Sequence, residues 1–265
     1  MYNFLLQLPD IYLFLLISFS FIIISIIITL VVRVSVPSHI RSRDNAIIVG
    51  TSNLISLIYG ILVGLSALYL INNISYTADA VQREANAIAD IYHNSEWLSE
   101  PIKSTFEKKL TIYLNSVINT EWHLMQRGKE ISNKNDFLIS SMKKDAIDYH
   151  AANNTEQMLQ RDILTNLQNL YNARQQRIHM SYSMLNPDLW VVIIIGTILT
   201  LCINYIYDMN FYLHLVTISA AALMTASMLF LLIALDGPFQ GEFVIDSSSM
   251  QAVLTYIEQS SPSSK

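Results

Sequence analysis

The chain has 265 residues, 52% of them hydrophobic and only 14% charged, against about 25% charged in an ordinary soluble domain. Its net charge of -5 comes from acidic and basic residues mixed along the sequence, which leaves no basic stripe for nucleic acid. Cys202 is the sole cysteine, which excludes an intramolecular disulfide and a cysteine-based zinc site.

Residues 11–32, 45–78, 189–207 and 209–235 carry no Asp, Glu, Lys or Arg. About 20 helical residues cross the ~30 Å hydrocarbon layer, and a span must satisfy its own backbone, so each run accommodates one crossing helix. The predicted order is an N-terminal segment 1–10, a first crossing 11–34, a second 46–71, a helical soluble domain 76–186, a third crossing 189–207, a fourth 212–235 and a tail 236–265. The fold class is therefore an all-α integral membrane protein with four transmembrane helices and a helical soluble domain between the second and third. The first run lacks a basic leader and a small-residue cleavage site, and it reads as a retained helix. Four crossings place the N-terminus, the soluble domain and the tail on one side of the bilayer. Arg33, Arg41 and Arg43 flank one side and Arg83, Arg174 and Arg177 the other, so charge leaves the orientation open.

Within the soluble domain, Val81, Ala85, Ile88, Ala89 and Tyr92 recur at helical spacing. A second helix starts near Pro101 and runs through Phe106, Leu110 and Tyr113 toward Trp122, ending at Gly128 and the polar stretch 132–136. A weaker segment covers Phe137 to Tyr149. After a turn at 151–155, a long helix carries Leu159, Ile163, Leu167, Leu170 and Ile178. Asn186-Pro187 makes a junction with the third crossing, since proline suits a helix start. The tail ends in a polar stretch from Gln259 onward, too poor in apolar residues to build a core and expected to be disordered at its end.

No phosphate-cradling glycine loop or nucleophile elbow is present, and His93, His123, His150 and His179 lie too far apart for a local metal motif. No enzyme, metal or cofactor is expected. In the second crossing Ser52, Ser56, Gly60 and Gly64 repeat every four residues, placing small side chains on one face for close helix approach. That face serves either packing within the chain or an inter-subunit or pore-lining contact. Thr197, Thr200 and Asn204 align similarly on the third crossing and face protein or water. On the soluble side, Arg83 and Glu84 and, on the returning helix, Arg174 and Arg177 stand at comparable distances from the membrane, so Glu84 is expected to pair with Arg177 or Arg174. This set is either a charged collar on an ion path or an ion pair fixing the register of two helices.

The string Arg83-Glu84-Ala85-Asn86, followed by Tyr92, Tyr113, Glu121-Trp122, Arg177 and Trp190, and closed by Asp236-Gly237-Pro238-Phe239-Gln240-Gly241, resembles the bestrophin-like family over roughly Gly50 to Met250. Its named relatives, the bestrophins, are pentameric anion channels. The resemblance implies a helical cytosolic domain between the second and third crossings, a pore lined by the second helix, and a proline-phenylalanine segment after the fourth, here Pro238-Phe239. It implies a homo-oligomer in a lipid bilayer that passes small ions, in an inner or plasma membrane of bacterial type, with its soluble domain in the cytoplasm. Where bestrophins carry an acidic calcium-binding run, Gln240, Gly241, Glu242, Phe243 and Val244 offer one carboxylate, so no calcium clasp is expected. Leu57, Ile61, Leu65 and Leu68 are aliphatic where those channels narrow at paired aromatics, which points to gating by dewetting. Ser52, Asn53 and Ser56 would supply polar groups for selectivity. The rival reading is a non-conducting scaffold or sensor whose soluble helices bind a partner.

Overall fold

A computed structural model describes residues 9–36, 45–182, 185–207, 209–239 and 245–260. Among them every regular element is helical, and four helices are long and apolar enough to cross a membrane. In chain order these are α1 (Asp10–Ser35), α2 (Asn45–Ser95), α3 (Ile102–Ser116), a π turn (Val117–Glu121), α4 (Trp122–Gln126), α5 (Lys134–Asp148), α6 (Asn154–His179), α7 (Pro187–Asn204), α8 (Phe211–Leu235) and α9 (Ser248–Ser260). Two compact units result: residues 1–72 with 183–237 and 241–243, and residues 73–182 with 238–240 and 244–265.

The first unit holds the membrane spans. The 26 residues of α1 reach about 39 Å at ~1.5 Å per residue, enough to cross the hydrocarbon. Asp10 in its first turn and Arg33 in its last match the helix dipole. It packs chiefly on α8. Phe14 meets Phe230 edge-on at 5.3 Å, and the Arg33 guanidinium sits 4.9 Å over the Phe211 ring, so the two helices run antiparallel. Asn186 and Asn210 cap α7 and α8 by accepting from the amides of Asp188 and Tyr212, and Pro187 occupies the first turn of α7.

The helix that carries the second crossing does not stop near residue 71. The helix continues to Ser95, 51 residues in all, about 76 Å at ~1.5 Å per residue. Nothing between Leu65 and Ser95 breaks a helix, since the stretch has no glycine or proline. The polar group at 72–77 is absorbed locally, with Thr77 donating back to the Asn73 carbonyl at 2.7 Å.

The second unit closes around one apolar core built from Ile88, Ile91, Phe106, Leu110, Tyr113, Leu114, Met142, Ile163 and Leu170. α6 begins on Asn153, whose side chain accepts from the Glu156 amide, while the Glu156 carboxylate accepts from the Ala152 amide and the Tyr149 and Ser99 hydroxyls. The tail returns to this core. Met250 and Ile257, seven residues apart on α9, are fully buried in it, and Tyr256 meets Tyr92 edge-on at 6.0 Å. Spacing by seven puts both on one helix face, so a segment whose average polarity suggests a tail is an amphipathic lid to the core. The expected disordered end at 261–265 lies outside the described residues, as does Gly241.

Candidate functional site

The soluble unit holds a buried ionic cluster. Glu84 on α2 and Arg177 on α6 are each fully buried. Arg177 Nε donates to Glu84 Oε2 at 2.6 Å and its Nη2 to Oε1 at 2.9 Å, the parallel fork that guanidinium and carboxylate favour. The same Nη2 donates to Glu121 Oε2 at 2.8 Å. Tyr113 adds its hydroxyl to Glu84 Oε1 at 2.6 Å. Glu121 also accepts from Asn135 at 2.8 Å and from Arg174 Nη2 at 2.6 Å, and Arg174 Nη1 pairs with Asp136.

Burial penalises every charge in this cluster, and the partners decide the outcome. Burial alone raises the Glu121 carboxyl, but Arg177 and Arg174 hold it below the usual carboxylate range. Burial likewise opposes the charge on Arg177, yet Glu84 and Glu121 keep its pKa above the ordinary arginine value. Tyr113 is pushed well up by burial and by the Glu84 charge beside it, more than Arg177 offsets. Glu121, Arg174 and Arg177 thus keep their charges at neutral pH, with Tyr113 a protonated donor.

The four residues of the expected collar do not form a single ring. Glu84 takes Arg177, whereas Arg174 turns to Glu121 and Asp136. Arg83 is exposed and donates to Gln176 at 2.8 Å. Glu84, Arg174 and Arg177 are sealed from water within this unit. Glu121, Asp136 and Tyr113 complete the cluster without standing out as charged partners in the sequence. A signal for Glu121 exists: Leu110, Leu114, Val117 and Glu121 fall on one stripe at spacings of four or three, and a carboxylate on an apolar stripe calls for a buried cation. The π turn then carries Glu121 and Trp122, neighbours in sequence, both into the interior.

Trp122 links the cluster to the end of the chain. The Arg177 guanidinium lies 5.6 Å over its ring, and Phe239 stands edge-on to it at 5.4 Å. The Pro238 carbonyl accepts from the Ile245 amide at 3.0 Å. In the membrane unit, the buried Asp236 accepts from the Leu185 amide at 2.7 Å and the Trp190 indole at 3.3 Å, tying the C-terminal end of α8 to the start of α7. Asn86 is exposed, accepts from Gln82, and joins Arg83, Asp90, Asn166, Asn169, Asn172 and Gln176 around an open polar groove of about 360 Å³.

The small-residue stripe of α2 does not keep to one packed face. Residues four apart advance by about 40° around an α-helix, so the stripe winds through about 120° from Ser52 to Gly64. Ser52 is buried and donates to Asn204 at 3.4 Å, and Ser56 is half-buried. A Cβ on Gly60 or Gly64 would meet no atom within 4 Å. The face that α2 does bury runs through Ser52, Tyr59, Val63, Ser66 and Leu70, and Tyr59 shares a 2.8 Å hydrogen bond with Thr197. Thr197 and Thr200 are buried and Asn204 half-buried, so their face of α7 looks into the chain's own bundle. Leu57, Ile61, Leu65 and Leu68 are each more than half exposed, beside Gly64 on the outward side. Among the described residues no group of three His, Cys, Asp or Glu is placed to hold a metal ion.

Four apolar spans, a helical unit inserted between the second and third, and a buried arginine–glutamate cluster tied to a proline-phenylalanine segment after the fourth define a class of polytopic helical membrane protein. A family model for the bestrophin-like domain matches residues 19–250, and the chain belongs to that family. No curated protein and no solved structure matches it.

Proposed function

We propose that the chain assembles with copies of itself and passes small ions, anions in preference, across the bilayer, with α2 at the subunit contact and beside the ion path. The observation that carries this reading is the outward face of α2. Gly60 and Gly64 leave open space where a side chain would stand, although small residues in a span are the means by which helices approach closely. Among the described residues, nothing in their own chain makes use of that capacity. Leu57, Ile61 and Leu68 flank the opening and would form an apolar constriction whose wetting controls flow. In this reading the activity is passage of a solute rather than making of bonds, and the soluble unit faces the cytoplasm of a bacterial-type cell.

The test is ion flux from liposomes holding the full chain, comparing chloride with potassium and wild type with Gly64→Leu, alongside the oligomer mass. Chloride flux that is lost in the variant supports the reading. Unchanged flux from a variant with native oligomer mass counts against α2 as the contact. Absence of flux from well-folded wild-type oligomers, across pH and calcium concentration, moves the assignment to a non-conducting scaffold.

A further inference from the structure

The membrane unit contains a cleft of about 280 Å³ between α1 and α7, with Leu229 of α8 also in its lining. Phe21 to Ile28 lie near the middle of α1, so the cleft stands at hydrocarbon depth. Exposed Ile24, Ile198 and Cys202 form its rim, and buried Ser25, Thr197 and Tyr205 its floor.

We propose that this cleft seats one acyl chain of a membrane phospholipid. Its size exceeds the ~150 Å³ of a dry apolar cavity that takes up benzene. Water has no hold there, because a trapped water needs about 2–4 polar partners and the hydroxyls on the floor are already matched. Tyr205 donates to Ser25 at 3.0 Å, and Thr197 pairs with Tyr59 at 2.8 Å. None of the eleven lining residues is charged, so nothing would hold the carboxylate of a free fatty acid. Hydrocarbon is the surrounding solvent, and a flexible chain end fills a notch that rigid helices leave between them. The site does not depend on whether the protein conducts.

The experiment reconstitutes the full chain in bilayers containing a phospholipid with a diazirine midway along one acyl chain, irradiates, and maps adducts by mass spectrometry. Adducts should concentrate on the stretches 21–28 and 198–205. They should fall several-fold there in Cys202→Trp, which fills the rim, while labelling elsewhere and in Cys202→Ala stays as in wild type. That internal comparison separates loss of the seat from loss of the fold. Even labelling of all outward faces, or a pattern unchanged by Cys202→Trp, would overturn the proposal in favour of ordinary boundary lipid. Because Cys202 is the only cysteine, a disulfide-linked dimer formed by copper–phenanthroline in the bilayer would overturn it as well, by showing that a second copy covers the cleft.

Discussion

Removing the guanidinium of Arg177 tests the energetic reading of the soluble unit most directly. Arg177→Met keeps much of the side-chain volume but leaves Glu84 and Glu121 facing each other in an interior with no access to water. Three donated hydrogen bonds to carboxylates vanish with it. Truncating one partner of a buried ion pair costs about 3–5 kcal/mol, most of it the penalty of a stranded charge. At ~2–4 °C per kcal/mol for a unit of this size, the unfolding midpoint should fall by about 6–20 °C. The natural probe is tryptophan fluorescence of the detergent-solubilised full chain, since Trp122 lies 5.6 Å from the deleted group. Adding Glu84→Gln and Glu121→Gln to Arg177→Met removes the stranded charges and should restore a large part of the loss. Arg177→Lys should fall between wild type and Arg177→Met, because an ammonium keeps the charge but not the fork. A midpoint for Arg177→Met within the range of a surface change such as Arg83→Ala would refute the reasoning, as would a triple variant less stable than the single one.

Other consequences are open to simple measurement. Gly196→Ala places a Cβ 2.6 Å from Cδ2 of Tyr59, so it should displace the ring, break the hydrogen bond to Thr197 and cost about 1–3 kcal/mol in thermal stability; Gly60→Ala, with nothing in its way, should cost the single chain nothing. Met250→Ala opens a void in the core beneath α9 and should cost about 2–5 kcal/mol, seen as faster proteolysis of the soluble unit. Glu121 is held below its ordinary pKa by Arg177 and Arg174 despite burial, so the unfolded state binds the more protons. Its contribution is complete above the usual carboxylate range and is lost as pH falls through the depressed value. A pH titration of the unfolding midpoint should therefore fall more gently in acid for Glu121→Gln than for wild type.

Much of the architecture can be read from where charge is absent. The four uncharged runs mark the spans because lipid tolerates so little else, and Asn186-Pro187 announces the start of α7 by its capping chemistry. Distances to the membrane ends of the two helices offer Glu84 either Arg177 or Arg174, and the structure selects Arg177. Other features depend on tertiary context. The run at 72–77 has the composition of an exit from the membrane, and composition alone cannot say that the helix passes through it unbroken. Arg174 has Glu84 as the nearer guess in sequence terms, but the π turn that delivers Glu121 alters the helical register. The stripe from Ser52 to Gly64 looks like one face at four-residue spacing, and only the packing of the folded chain shows that the helix rotates it from the bundle to the outside. In the tail, the two residues that matter, Met250 and Ile257, are outweighed by polar neighbours in any average.

The seating of α9 bears on how the protein is made. The soluble core draws on residues 73–182 and then on Phe239, Met250 and Ile257, with two membrane spans intervening in the sequence. Since chains emerge N-terminus first, the inserted helices must wait, with an apolar surface uncovered, until the third and fourth spans have been threaded into the bilayer and the last helix has emerged. A chain that stalls, or whose final hairpin of spans inserts the wrong way round, cannot cover that surface. Correct topology is thereby a condition for completing the fold, because a misinserted chain leaves the apolar face that Met250 and Ile257 cover open to water.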